Sequence, residues 1–217
     1  MKKGAIFDMD GLLFDTERIY QKAWLKLAVE FGVEPNPELG PAVCGSSGES
    51  MRRIVSSFYP HIDVDAYNQR VREYVHEQIR TNPLRIMDGV REILDFFAER
   101  KIKMAVASSS SREMIVSNLQ RAGLTDYFEA VVSGAELKHG KPAPDIFLAA
   151  AEKIGYAPED CYVFEDGMNG IRAAYAAGCT AIMIPDLVKP TEEVQKMCSG
   201  IFSSLTEARQ AIIDGNV

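Results

Sequence analysis

Two pairs of acids stand where carboxylates can do chemistry. Asp8 and Asp10 flank Met9 just after the apolar run Gly4-Ala5-Ile6-Phe7, and Gly11 follows where the backbone must turn. An extended chain alternates its side chains, so residues two apart point the same way and can share one site at the strand's C-terminal end. Like charges held together need a proton or a cation between them. Magnesium, a hard cation that takes carboxylate and carbonyl oxygens, is the natural resident. Taken alone, Asp-x-Asp-Gly fits a capped turn beside a solvated acid equally well. Glu165 and Asp166 change that balance, because they end a second apolar run, Tyr162-Val163-Phe164, and precede Gly167 in the same manner. Burying these acids against the first pair would be prohibitive without a divalent ion to hold them, so the two pairs together predict one metal site.

Two segments between them could hold an anion. Ala107-Ser108-Ser109-Ser110-Ser111 offers hydroxyls and backbone amides at the junction of a strand and a helix, a nest for phosphate aided by the helix dipole. The same serines would also serve as a plain helix cap. Lys138-His139-Gly140-Lys141-Pro142-Ala143-Pro144-Asp145 places Pro144 in the first turn of the next helix and makes a rigid loop that can aim Lys141 inward. A lysine there would neutralise both Asp8 and a phosphate oxygen. His139 reads as a loop residue. His61, His76 and His139 are isolated, and Cys44, Cys161, Cys179 and Cys198 are scattered, with no zinc-ligand spacing. The cysteines read as reduced thiols, three of them core fillers, which places the chain in the cytoplasm.

The elements that must position these residues are legible as an alternation of short apolar runs and longer helical patterns. Strands are expected at 4–7, 104–107, 130–132, 162–164 and 181–184, each stopping at polar or turn-forming residues. Helices are expected at 89–99, 112–122, 144–154 and 170–177, with Asp88 capping the first and Gly178 closing the last as its C′ residue. This is an α/β fold, a Rossmann-like three-layer core with a parallel sheet, whose ligands bind outside the carboxyl ends of the strands. From Thr16 to Thr81 no strand is evident. Ile19, Ala23, Leu27 and Phe31, then Ile54 and Phe58, then Val71 and Val75 recur at helical spacing, and Pro35, Pro37, Pro41 and Pro60 punctuate them. The expected domains are therefore a core of 1–15 and 82–217 and a small helical insert of 16–81 after the first strand.

Bulk properties narrow the range of partners without excluding a small anionic substrate. Among 217 residues, 47% are hydrophobic and 25% charged, enough for a sizeable core. The net charge of −7 argues against nucleic-acid or anionic-membrane partners. No apolar stretch reaches the length of a membrane span. The N-terminal run meets Asp8 too soon for a signal peptide.

Asp8-Met9-Asp10-Gly11, Ser108, Lys141 and Glu165-Asp166, in this order, resemble the four motifs of the haloacid dehalogenase-like hydrolase superfamily. Residues 11–17, 140–148 and 164–178 resemble its β-phosphoglucomutase-like branch, and 7–20 looks like pseudouridine-5′-phosphate phosphatases and their relatives. The resemblance implies a helical cap after the first motif and a monomer acting on small phosphorylated metabolites: sugar, polyol or nucleoside-type monophosphates. It implies that Asp8 attacks phosphorus to form an aspartyl-phosphate and that Asp10 acts as acid and base. It implies magnesium bound by Asp8, the Asp10 carbonyl and Asp166, with Glu165 taking part directly or indirectly. Ser108, the Ser109 amide and Lys141 would hold the phosphoryl oxygens. Glu17, Tyr20, Gly45, Ser46 and Glu49 are the pocket candidates of the cap. Two alternatives remain at this point. A β-phosphoglucomutase-type mutase would show a cap histidine where Tyr20 stands and a cap arginine where Gly48 stands, so hydrolysis is favoured. A binding protein on an inactive scaffold would lack a motif residue, and none is missing.

Overall fold

The computed structural model describes residues 1–44, 46 and 48–217, in two compact units. One comprises Met1–Phe14 with Ile86–Val217, the other Asp15–Arg85. The chain starts with β1 (Gly4–Phe7) and enters the helical unit as α1 (Glu17–Glu30), α2 (Leu39–Val43), α3 (Gly48–Phe58) and α4 (Val64–Thr81). It returns through α5 (Val90–Glu99), β2 (Lys103–Ser108), α6 (Arg112–Ala122), β3 (Ala130–Ser133) and α7 (Asp145–Ile154). It finishes with β4 (Cys161–Glu165), α8 (Met168–Ala176), β5 (Thr180–Met183), α9 (Glu192–Gln195), β6 (Gly200–Ile201) and α10 (Leu205–Ile213).

All six strands are parallel, in the order β3-β2-β1-β4-β5-β6. The order reverses at β1, so the carboxyl ends of β1 and β4 border the crevice where doubly wound sheets bind ligands. Period-two alternation sorts the strand residues. Ile6, opposite Ala105 and Val163, belongs to the face packed under α7 and α8 with Phe147, Ala150, Ile171 and Ala174. Phe7, opposite Phe164, points the other way: the two rings stack at 4.8 Å, and Phe97 of α5 meets them edge-on or tilted. Both faces being covered, β1 and β4 read as unbroken apolar runs.

The helical unit has its own core. Tyr67 of α4 lies among the rings of Trp24, Phe31 and Tyr59 and donates its hydroxyl to the Trp24 carbonyl at 2.6 Å. Asp63 caps α4 by accepting the Ala66 N–H at 3.0 Å. Asp15, at the start of this unit, donates its N–H to the Arg85 carbonyl at its end and pairs with both Arg18 and Arg85.

Three details differ from the expectations. Pro41 stands inside the first turn of α2, where the missing N–H has no intrahelical partner to lose. The N-cap position of α5 is Gly89, one residue later than the expected Asp88. β6 was not foreseen: two residues at a sheet edge leave too short a pattern to read. No described helix is long and apolar enough to cross a membrane.

Candidate active site

β1 extends its pairing one residue past its end, where the Asp8 N–H donates to the Phe164 carbonyl at 3.0 Å. This fixes Asp8 at the boundary between β1 and β4, 6% exposed. The chain then coils: Leu13 N–H donates to the Met9 carbonyl at 3.0 Å, and Gly11 takes φ of 82°, open to glycine without strain. Asp10 is thereby aimed at the end of β2. Its Oδ2 accepts the Ser110 hydroxyl at 2.8 Å and the Ser108 hydroxyl at 3.2 Å. Ser108 Oγ in turn accepts the Ser110 N–H at 3.0 Å, which curls the loop around that oxygen. Ser111 caps α6 by accepting the Met114 N–H at 3.4 Å. The serine run thus divides between cap and site, with Ser109 exposed at the turn.

Lys141 reaches the same point from the loop before α7. Its Nζ donates at 2.5 Å to Asp8 Oδ1 and at 2.5 Å to Glu165 Oε1, with 10% of the side chain exposed. Glu165, 2% exposed, accepts the Gly167 N–H through Oε2 at 2.8 Å, so each of its oxygens has a donor. Burial would lower the lysine's affinity for its proton, but the Asp8 and Glu165 carboxylates override that and hold it above the ordinary range. Asp8 is pushed up to about 8, first by burial and then by the charges of Glu165 and Asp10, against the pull of Lys141.

That shift tests whether a cation fits. A carboxylate held near 8 is a poor nucleophile at neutral pH until a further positive charge offsets its burial. Asp8, Glu165 and Asp166 each offer a carboxylate oxygen within 4.8 Å of the others, an all-oxygen set suited to a hard divalent ion. The chemistry of the donors fits such an ion. The Asp10 carboxylate stands apart from this set, on its serines, leaving its backbone carbonyl as the group Asp10 could offer a metal.

Of the candidates in the helical unit, Glu17 opens α1 and its Oε2 lies 3.6 Å from the Cys44 thiol, which points at it. Ser46 donates its N–H to the Val43 carbonyl at 2.9 Å, and Tyr20 is half-buried on α1. Gly45 lies outside the described residues. Sequence reasoning missed the specific part of Ser110 and of Cys44. Ser110 sat in a run of four identical residues, where nothing in residue type separates site from cap.

The family of haloacid dehalogenase-like hydrolases matches residues 5–184. A phosphorylated carbohydrates phosphatase of Thermotoga maritima is 33% identical over 83% of this chain and 83% of its own length. A probable pseudouridine-5′-phosphatase of Drosophila melanogaster is 32% identical over 93% of this chain and 89% of its own. Among solved structures, a putative β-phosphoglucomutase from Thermotoga maritima superposes with a TM-score of 0.77 at 28% identity, covering 98% of this chain and 99% of that one.

Proposed function

Because this chain belongs to the haloacid dehalogenase-like hydrolases, we propose that it is a magnesium-dependent phosphatase of small phosphorylated metabolites, with the Asp8 carboxylate as nucleophile. It is a phosphoric monoester hydrolase, as its named relatives are. The observation that carries the mechanism is the meeting of the Asp8, Glu165 and Asp166 carboxylates within 4.8 Å, with Lys141 bonded to the first of them.

Magnesium would be held by Asp8 and Asp166 with the Asp10 carbonyl, and it would supply charge to offset the anionic nucleophile and phosphate. The remaining work belongs to side chains. Asp8 attacks phosphorus in line through a free oxygen, forming an aspartyl-phosphate while the ester oxygen departs. Asp10 gives that oxygen a proton and then takes one from the water that releases phosphate. Ser108 and Ser110 hold the Asp10 carboxylate in place for both transfers. Lys141 binds a phosphoryl oxygen, an interaction that gains strength as charge develops in a water-poor site. Glu165 steadies Lys141 through Oε1 and takes part at the cation directly or through that contact. The helical insert of residues 16–81 would serve as a cap, as the resemblance implies, with Glu17, Tyr20, Gly45 and Ser46 as the candidates for selecting the leaving group.

Tyr20 and Gly48, standing where mutases of this family would carry a histidine and an arginine, favour water as the acceptor of the phosphoryl group. A screen of phosphate release over sugar, polyol and nucleoside monophosphates, with and without magnesium, tests this. No release from any ester sinks the phosphatase. Conversion of β-glucose 1-phosphate to glucose 6-phosphate with a bisphosphate primer, at a rate above hydrolysis, replaces it with a mutase.

A further inference from the structure

Glu165 reaches Lys141 across the first turn of α8, and it passes through the space where Gly170 has no side chain. A Cβ on Gly170 would overlap the Glu165 Oε1 and carboxyl carbon and lie 2.5 Å from Oε2. The end of a flexible side chain ordinarily swings away from such an overlap. This one is pinned at both ends of its carboxylate, by Lys141 Nζ on Oε1 and by the Gly167 N–H on Oε2. It is also 2% exposed, so swinging it away means breaking both bonds inside a packed site.

Backbone conformation does not account for the glycine. Gly170 lies within α8 and is absent from the glycines of positive φ, so any residue could adopt its dihedrals. Alanine is favoured over glycine in a helix, which makes a buried helical glycine a net cost unless something occupies its place. What occupies it here is the carboxylate of Glu165.

We propose that Gly170 is a positioning residue for phosphoryl transfer: the seat it leaves open lets Glu165 hold Lys141 against Asp8. Gly170 touches neither substrate nor Lys141 and acts wholly through Glu165. The inference rests on the reading of Lys141 as the cation that holds the phosphoryl group.

A double-mutant cycle separates this role from ordinary helix packing. Gly170→Ala should lower kcat/KM for p-nitrophenyl phosphate at least 10-fold, mostly in kcat, in a protein that still folds and melts cooperatively. Glu165→Ala removes the overlapped atoms, so adding Gly170→Ala to it should change kcat/KM less than twofold. Glu165→Ser closes the cycle equally if the alanine variant does not fold. The proposal is overturned if Gly170→Ala stays within twofold of wild type, or if it costs the same factor in both backgrounds. Lys141→Ala is the separate control on the underlying reading: its loss should be at least 100-fold, and a fully active Lys141→Ala would remove that reading whatever Gly170 does.

Discussion

Ser110 donates its hydroxyl to Asp10 Oδ2 at 2.8 Å, joining residues 100 apart in the chain. The bond holds the proposed proton carrier by one of its two carboxylate oxygens. A hydrogen bond to a charged group contributes about 1.5–3 kcal/mol. Ser110→Ala should therefore lower kcat about 10-fold while leaving KM nearly unchanged, the Ser108 hydroxyl retaining part of the hold.

Asp10→Asn should cost more, and the cost should depend on the leaving group. Proton transfer by a positioned side chain contributes roughly 10²–10⁴-fold. A sugar phosphate, whose alkoxide must be protonated, should show that loss in kcat. p-Nitrophenyl phosphate, whose phenolate leaves without a proton, should lose clearly less in the first step. Equal losses on both esters would remove Asp10 from the role of acid.

The sheet was legible because its strands obey one rule: apolar throughout, then polar where the ligand side begins. All five expected strands lie within one residue of the observed ends. Glu165 was expected beside Asp8 for the same reason, standing at the end of β4, and Lys141 was expected there from its rigid Gly-Lys-Pro loop. Their partnership was not. That Glu165 pairs with a lysine instead of facing only a cation depends on the loop before α7 and on an absent side chain at Gly170, neither of which leaves a periodic signal. The N-cap position falls on Gly89 instead of Asp88 for a local reason, since the chain turns in the left-handed region there.

The thiols offer a check on the core. Cys161 is buried on β4 and Cys179 is buried just before β5, while Cys198 is half-buried against the same cluster. Burial pushes Cys161 up to about 11, Cys179 to about 12 and Cys198 to about 11, so at pH 8 all three are thiols with almost no thiolate. Native protein should expose at most one fast-reacting thiol, Cys44, to an aromatic disulfide reagent, and denatured protein should expose four. Two or more fast thiols in the native state would contradict the packing under α7 and α8.

Asp8→Asn separates the nucleophile's chemistry from its cost to the fold. Activity should fall by about 10⁴-fold or more, as when a nucleophile acting within a catalytic set is removed. The variant should nonetheless fold, because asparagine keeps the shape of the side chain and its carbonyl can still accept the Lys141 N–H. A variant that retains a tenth of wild-type activity would leave Asp8 without its proposed role.

The same carboxyl predicts how stability of the metal-free protein follows pH. Asp8 is raised in the folded state from an ordinary value near 3.8 to about 8. The folded protein thus holds this proton more tightly than the unfolded chain does. Its contribution to stability is complete below the ordinary value, declines as pH rises, and is gone above the raised one. Lys141 does not offset the trend: its raised affinity favours the folded state equally at every pH below its ordinary range near 10.5. With metal removed by a chelator, wild type should lose about 5 °C or more in Tm between pH 5 and 8 relative to Asp8→Asn, where the proton is no longer at stake. Added magnesium needs the ionised carboxylate, so it should raise Tm more at pH 8 than at pH 5.5. Parallel melting curves for the two proteins across this range, with no magnesium effect at either pH, would show that Asp8 neither holds its proton against burial nor faces a cation.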